Sequence, residues 1–164
     1  MPIKTSEYID VKAQASKLGF ETPRDLALLP INFDTADSKD DLVYEDAVLT
    51  VRKLWRQAGI TETKLEKEEE KFPYKQRKSF EWVAPTIFVS ASLLSQNPDF
   101  VSIALNVIST YLTDYFKGVV GHKTVKFDIV VEQDEQRKSK RIQYEGSLEG
   151  IDKLIEVIRE NKRL

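Results

Sequence analysis

Apolar positions recur along this chain with two different periods, and the changes of period divide it into elements. From Asn97 to Gly118, Phe100, Val101, Ile103, Ala104, Leu105, Val107, Ile108, Tyr111, Leu112, Tyr115 and Phe116 cover well over half of a helical circumference at about 100° per residue. Both ends are marked: Asn97 suits a cap, Pro98 the first turn, Asp99 the positive end of the helix dipole, and Gly118 a left-handed closing position. A helix this apolar needs cover on two sides, which makes it the centre of the expected core.

The same helical spacing joins Tyr44, Ala47, Val48, Val51, Leu54, Trp55 and Ala58 and predicts a helix over 40–58. Acidic Asp40, Asp41, Glu45 and Asp46 lie toward its start, basic Arg52, Lys53 and Arg56 toward its end, and Gly59 follows. Ser6 to Leu18 reads as a short helix capped by Ser6, with Tyr8, Val11, Ala15 and Leu18 on one face, although Tyr8–Val11 alone fits a strand equally well. Thr22-Pro23 opens a helical turn through Arg24–Leu29 that Pro30 closes, and Ile31–Phe33 is too short to define a strand. Near the end, Ser147 caps a helix from Leu148 to about Glu160 carrying Ile151, Leu154, Ile155 and Ile158.

Period two appears after Gly121. Val125, Phe127, Ile129 and Val131 alternate with Lys126, Asp128, Val130 and Glu132, and Ile142 and Tyr144 alternate with Arg141, Gln143 and Glu145. A loop over 134–137 pairs Gln133 with Lys138, sets Ile129 opposite Ile142 and Phe127 opposite Tyr144, and puts Lys126 opposite Glu145 on the other face. Trp82–Ser90 is rich in β-branched and aromatic residues, which predicts a buried strand around Thr86–Val89 with Pro85 at its entrance or on an edge. This order of elements predicts one α+β domain over 1–164: a mixed sheet with a C-terminal antiparallel hairpin, a central buried helix, and helices mainly on one face. Residues 61–81 form a charge-dense stretch interrupted by Pro73 and read as a solvated connection, helical before the proline.

Composition narrows the chemistry. With no cysteine, disulfides, thiolate nucleophiles, iron–sulfur clusters and cysteine-ligated zinc are excluded. A net charge of −2 argues against binding a polyanion with the whole surface. The opening MPIKTSEYID lacks an apolar signal core, so a cytoplasmic setting is expected. Between Val83 and Thr113 the only charge is Asp99, yet Pro85, Gln96, Asn97 and Pro98 break the run, so no membrane span is expected.

No catalytic constellation is complete. Gly118–Thr124 has the glycines and the Lys-Thr pair of a phosphate loop but not their spacing, and it joins a helix to a strand, the reverse of what that loop requires. His122 is the sole histidine, which leaves a base without a partner. Asp34, Asp37, Asp40 and Asp41 lack calcium-loop spacing and its glycine, and read as caps and first-turn charges. Asp128 and Glu132, near Lys126 and Lys140, lie on one outward strand face without the Glu-x-Lys order of a metal-dependent nuclease. Catalytic residues, cofactors and metals are accordingly not expected, and a metal-dependent hydrolase using these carboxylates is the weakest reading.

Two stretches suggest binding instead. Phe72, Tyr74, Lys75, Arg77, Lys78, Phe80 and Trp82 interleave aromatic and basic side chains, and Arg137, Lys138, Lys140 and Arg141 cluster near the hairpin turn. Such mixtures serve as aromatic anchors with a basic rim for a protein partner or a second copy, or as stacking and phosphate contacts for nucleic acid. Neighbouring Glu66, Glu68, Glu69, Glu70, Asp134 and Glu135 dilute the positive charge. The expected function is a non-catalytic interaction or regulatory domain with a protein-binding surface, the alternative being nucleic-acid binding through 71–82 and 137–141.

Overall fold

A computed structural model describes residues 3–67, 69–76, 82–118, 124–133 and 138–161. Its elements are β1 (Ile3–Tyr8), α1 (Val11–Lys17), β2 (Leu26–Leu29), β3 (Tyr44–Glu45), α2 (Ala47–Gln57), β4 (Tyr74–Lys75), β5 (Trp82–Val89), α3 (Ala91–Gln96), α4 (Pro98–Tyr115), β6 (Val125–Glu132), β7 (Ser139–Gly146) and α5 (Ile151–Asn161). The alternating stretches form the β6/β7 hairpin in the predicted register, with Phe127 opposite Tyr144, Ile129 opposite Ile142 and Lys126 opposite Glu145. Around it stands a mixed five-stranded sheet in the order β1-β7-β6-β5-β2, in which β5 and β6 are the one parallel pair. The fold is α+β, as the sequence predicts.

Strand alternation gives the sheet two faces. One carries Leu26, Leu28, Ile87, Val89, Phe127, Ile129 and Ile142 into a core with Val48, Val51 and Trp55 of α2, Ala104, Leu105 and Ile108 of α4, and Leu154 and Ile158 of α5. The other turns Ala27, Leu29, Phe88 and Val130 toward Val11, Ala15 and Leu18 around α1, with Phe33. The larger helices therefore share one face. Trp55 fastens two of them, its indole N–H donating to the Ala104 carbonyl at 3.1 Å.

Four local expectations change. Ile3–Tyr8 is a strand rather than the start of a helix, because β7 supplies its ladder; the helix begins after Asp10, whose carboxylate accepts from the Ala13 N–H at 3.1 Å. Leu26–Leu29 is a strand and not a helical turn, for a strand buried on both faces is a continuous apolar run with no period to betray it. The helix expected from Asp40 starts only at Ala47. Upstream, Asn32 holds the chain extended, its amide donating to the Asp41 carbonyl at 2.7 Å and accepting from the Val43 N–H at 3.1 Å, and Tyr44–Glu45 pairs in parallel with Tyr74–Lys75. Pro85 lies inside β5, where the register with β6 shifts and β2 has already ended opposite Thr86. Among the caps, Asn97 and Ser147 make no side-chain bond to their helices, whereas Ser90 caps α3 through the Leu93 N–H at 3.1 Å.

The charge-dense connection is tied down over its first part, and its described residues form no helix. Leu65 is buried, and Glu62 and Glu66 converge on Arg52 of α2 at 2.6 and 2.7 Å. The Tyr44 hydroxyl donates to Glu66 at 2.6 Å, and the guanidinium lies 5.4 Å from the Tyr44 ring centre. Arg52 Nη2 and Glu62 Oε2 are buried without a hydrogen-bond partner among the described residues. Burial holds the Glu62 carboxyl above its ordinary range, outweighing the attraction of Arg52.

Three predictions follow from this packing. A Cβ on Gly150 would collide with the Tyr144 hydroxyl, and Tyr144 is itself buried with that hydroxyl donating to the Ser147 carbonyl. Gly150→Ala should therefore cost about 1–3 kcal/mol of overpacking, read as a lowered urea midpoint at unchanged slope. Arg52→Met strands two carboxylates and should cost about 3 kcal/mol by the same measurement. Because Glu62 binds its proton more tightly folded than unfolded, its contribution is complete below the ordinary carboxylate range and is lost as pH rises through the raised value. The stability difference between wild type and Glu62→Gln should thus move against wild type from acid to neutral pH; a constant difference contradicts this.

Candidate functional site

The two stretches singled out in the sequence are placed very differently from one another. Phe72 is half-buried, its ring 5.9 Å from Phe20 and 5.8 Å from Tyr44. Tyr74, exposed, stacks on Tyr44 at 6.2 Å, and Lys75 is exposed beside it in β4. Trp82 lies apart in the main core against Phe127 at 5.8 Å. Of the described residues of this group, Tyr74 and Lys75 are the exposed ones; Arg77, Lys78 and Phe80 lie outside the described residues.

In the hairpin, Arg137 and the loop over 134–137 also lie outside the described residues, and Lys138 is exposed. Lys140 and Arg141 fall on opposite faces of β7, because successive side chains of a strand alternate. Arg141 grips Asp128 with two bonds, Nε to Oδ1 at 2.9 Å and Nη2 to Oδ2 at 2.7 Å, and lies over the Tyr8 ring. These hydrogen bonds raise the Arg141 pKa further, while burial pushes the Tyr8 hydroxyl up. Among the described residues of the basic run, Lys140 and Arg141 are thus not brought together on one face.

Around that pair the sheet face not covered by α1 forms an open cleft of about 630 Å³, lined by Lys4, Thr86, Lys126, Asp128, Arg141 and Glu145 among others. Most of the charges that line the cleft are compensated within it. Thr86 donates to Asp128 at 3.0 Å, so both carboxylate oxygens are engaged, and Lys126 lies 3.9 Å from Glu145. Glu132, the second candidate carboxylate, accepts from the Ala91 N–H at 3.2 Å and pairs with Lys12 at 3.4 Å. Of the aspartate group, Asp40 gives its N–H to the Ser38 hydroxyl at the head of a 3-10 turn. Among the described residues no three histidine, cysteine or acidic side chains are placed to hold a metal ion, and no helix is long and apolar enough to cross a membrane. His122 and the glycine-rich turn around it lie largely outside the described residues.

A different surface stands out on the helical layer. Sheet, α2 and α5 cover Val101, Ala104, Leu105, Ile108 and Leu112 of α4, but the outer side of that helix carries Ile103, Val107, Tyr111 and Tyr115 at every fourth position, Ile103 being 53% and Tyr115 47% exposed. Beside this ridge runs a groove between α4 and α2, in two connected parts of about 590 and 460 Å³ that share Leu54, Gln57 and Tyr111. Leu49, 56% exposed, extends its apolar wall. Tyr111 and Tyr115 pack together at 5.9 Å, and burial raises the Tyr111 hydroxyl. Charges appear only at the rims, Lys53 on α2 and Asp114 on α4, both exposed.

This surface was signalled in the sequence by two features that helical packing alone leaves unexplained. The apolar arc of α4 is wider than one buried face needs, and Leu49 stands out of phase with the buried stripe of α2. Its chemistry is that of contact: large apolar side chains, aromatic rings, and no convergent nucleophile, base or ligand set. No family model, curated protein or solved structure matches this chain, and the groove is characterised by its own geometry.

Proposed function

We propose that the chain is a cytoplasmic, non-catalytic interaction domain that works by self-association through the outer face of α2 and α4. The observation that carries this reading is the row Ile103, Val107, Tyr111 and Tyr115, water-exposed in part along its whole length beside a groove of matching character. Apolar side chains grouped in this way mark a docking surface, unlike apolar residues scattered singly.

A second copy suits the surface better than an unrelated partner because ridge and groove lie side by side on one face. A two-fold rotation sets the α4 ridge of each copy into the α2/α4 groove of the other, the isologous arrangement of symmetric dimers, and side-chain ridges seated in grooves are the ordinary packing of helices. Charge agrees: the same rotation can bring Lys53 on one rim toward Asp114 on the other rim of its mate, and neither side chain makes an ion pair among the described residues.

Sedimentation velocity over a range from low micromolar to near-millimolar protein tests the reading. Wild type should show a concentration-dependent dimer, and Ile103→Lys with Tyr115→Glu should weaken association by at least about tenfold while leaving the melting temperature nearly unchanged, since both side chains face water. A wild-type protein that stays monomeric throughout, or a variant that dimerises equally well, overturns it.

A further inference from the structure

The two outer edges of the sheet are finished differently, and hydrogen-bond parity shows how. In antiparallel pairs, residues alternate between those that bond to the neighbouring strand and those whose N–H and C=O point away. At β2 the Ser90 N–H donates to the Asp25 carbonyl at 2.9 Å, so Leu26 and Leu28 point outward from the sheet. The Leu26 carbonyl accepts from the Thr63 N–H at 2.7 Å, and Tyr44, whose hydroxyl proton goes to Glu66, lies over the Leu28 carbonyl at 3.5 Å, both leucines being fully buried. This edge is closed by the chain itself.

The same parity applied at the other end gives the opposite result. The Gln133 N–H donates to the Lys138 carbonyl at 2.6 Å, so the odd-numbered residues of β7 from Ser139 to Glu145 turn their backbone groups toward β1. They bond to Lys4, Ser6 and Tyr8, which leaves the N–H and C=O groups of Ile3, Thr5 and Glu7 pointing out of the sheet. Among the described residues nothing bonds to these outward groups, and Thr5 and Glu7 are exposed. An unpaired row of this kind is a template for another strand.

We infer that the outer edge of β1 takes up an extended segment of another protein as an added antiparallel strand, with a carboxylate beside Lys4 and a basic side chain beside Glu7. Lys4 lies on the cleft face with Ser6 and Tyr8, whereas Glu7 lies on the helix-layer face with Ile3 and Thr5. A partner strand therefore meets one charge on each of its own faces. A second copy of β1 fits less well: the register that matches every outward group sets Thr5 on Thr5, leaves the two Lys4 ammonium groups diagonal to one another, and places each Glu7 against Ile3. The site stands at the far end of the sheet from β2, away from the α2/α4 groove, and does not depend on the proposed dimer.

A fluorescent peptide Val-Lys-Thr-Val-Glu-Val, titrated into the full chain and followed by anisotropy, is the test. Antiparallel to β1, it sets its glutamate on Lys4 and its lysine on Glu7. Saturable binding is expected, with the charge-exchanged peptide Val-Glu-Thr-Val-Lys-Val weaker by about fivefold. Thr5→Pro should abolish binding, since it removes an outward N–H without touching the β7 ladder, with circular dichroism and melting temperature close to wild type. Slowed amide exchange at Thr5 and Glu7 on adding peptide would place the contact on this edge. Absence of binding, equal binding of the two peptides, or indifference to Thr5→Pro overturns the inference, as does a wild-type dimer that Thr5→Pro converts to monomer, which would give the edge to a second copy.

Discussion

Parallel pairing of β5 with β6 is the constraint from which the rest of the structure follows. Two strands that run the same way cannot be joined by a tight turn, so the chain must leave Val89, cross one face of the sheet and return at Val125. α3 and α4 make that crossing. Their passage decides which face receives the long apolar helix, and α2 and α5 then dock on its flanks, the one through Trp55 and the Ala104 carbonyl, the other with Arg159 reaching Asp99 at 2.8 Å. What remains uncovered of α4 is the side turned away from the sheet, and its apolar arc extends onto that side.

On the other face, α1 is short and covers only part of the sheet. The rest stays polar, with Lys126, Asp128, Gln143 and Glu145 at the alternating positions, and its charges are matched largely within the chain. Charged side chains elsewhere serve closure as well: Arg52 gathers Glu62 and Glu66, and Lys39 holds Glu70 at 3.1 Å. Polar groups thus hold segments in place, and the exposed apolar face of α2 and α4 is left for the proposed self-association.

Legibility in the sequence followed the range of the interactions. The hairpin could be read to its register because alternation and a short loop specify each other within a few residues, and α4 could be read because no other element fits so long an apolar run. β1 and β2 could not. The first owes its conformation to β7 near the other end of the chain, and the second is apolar on both faces and so carries no period. Helical spacing through Tyr44 was real but overridden by Asn32 and β4. For the surfaces, the excess apolar arc of α4 was visible, but which part stays exposed depends on where α2 and α5 come to rest. The separation of Lys140 from Arg141 could have been read from strand parity alone.

Closure of the β2 edge has a consequence for how this chain survives its own folding. Leu26–Leu29 is an uncharged, wholly apolar edge strand, the sort of edge that offers itself to another chain when bare. Its guard comes from the charge-dense stretch that begins at Thr61, so a strongly hydrated part of the chain shields an apolar one. Since Thr63 lies far along the chain from Leu26, that guard arrives only after a long loop has closed. Any opening that frees the segment around Thr63 therefore bares the Leu26 edge while the rest of the sheet is still folded.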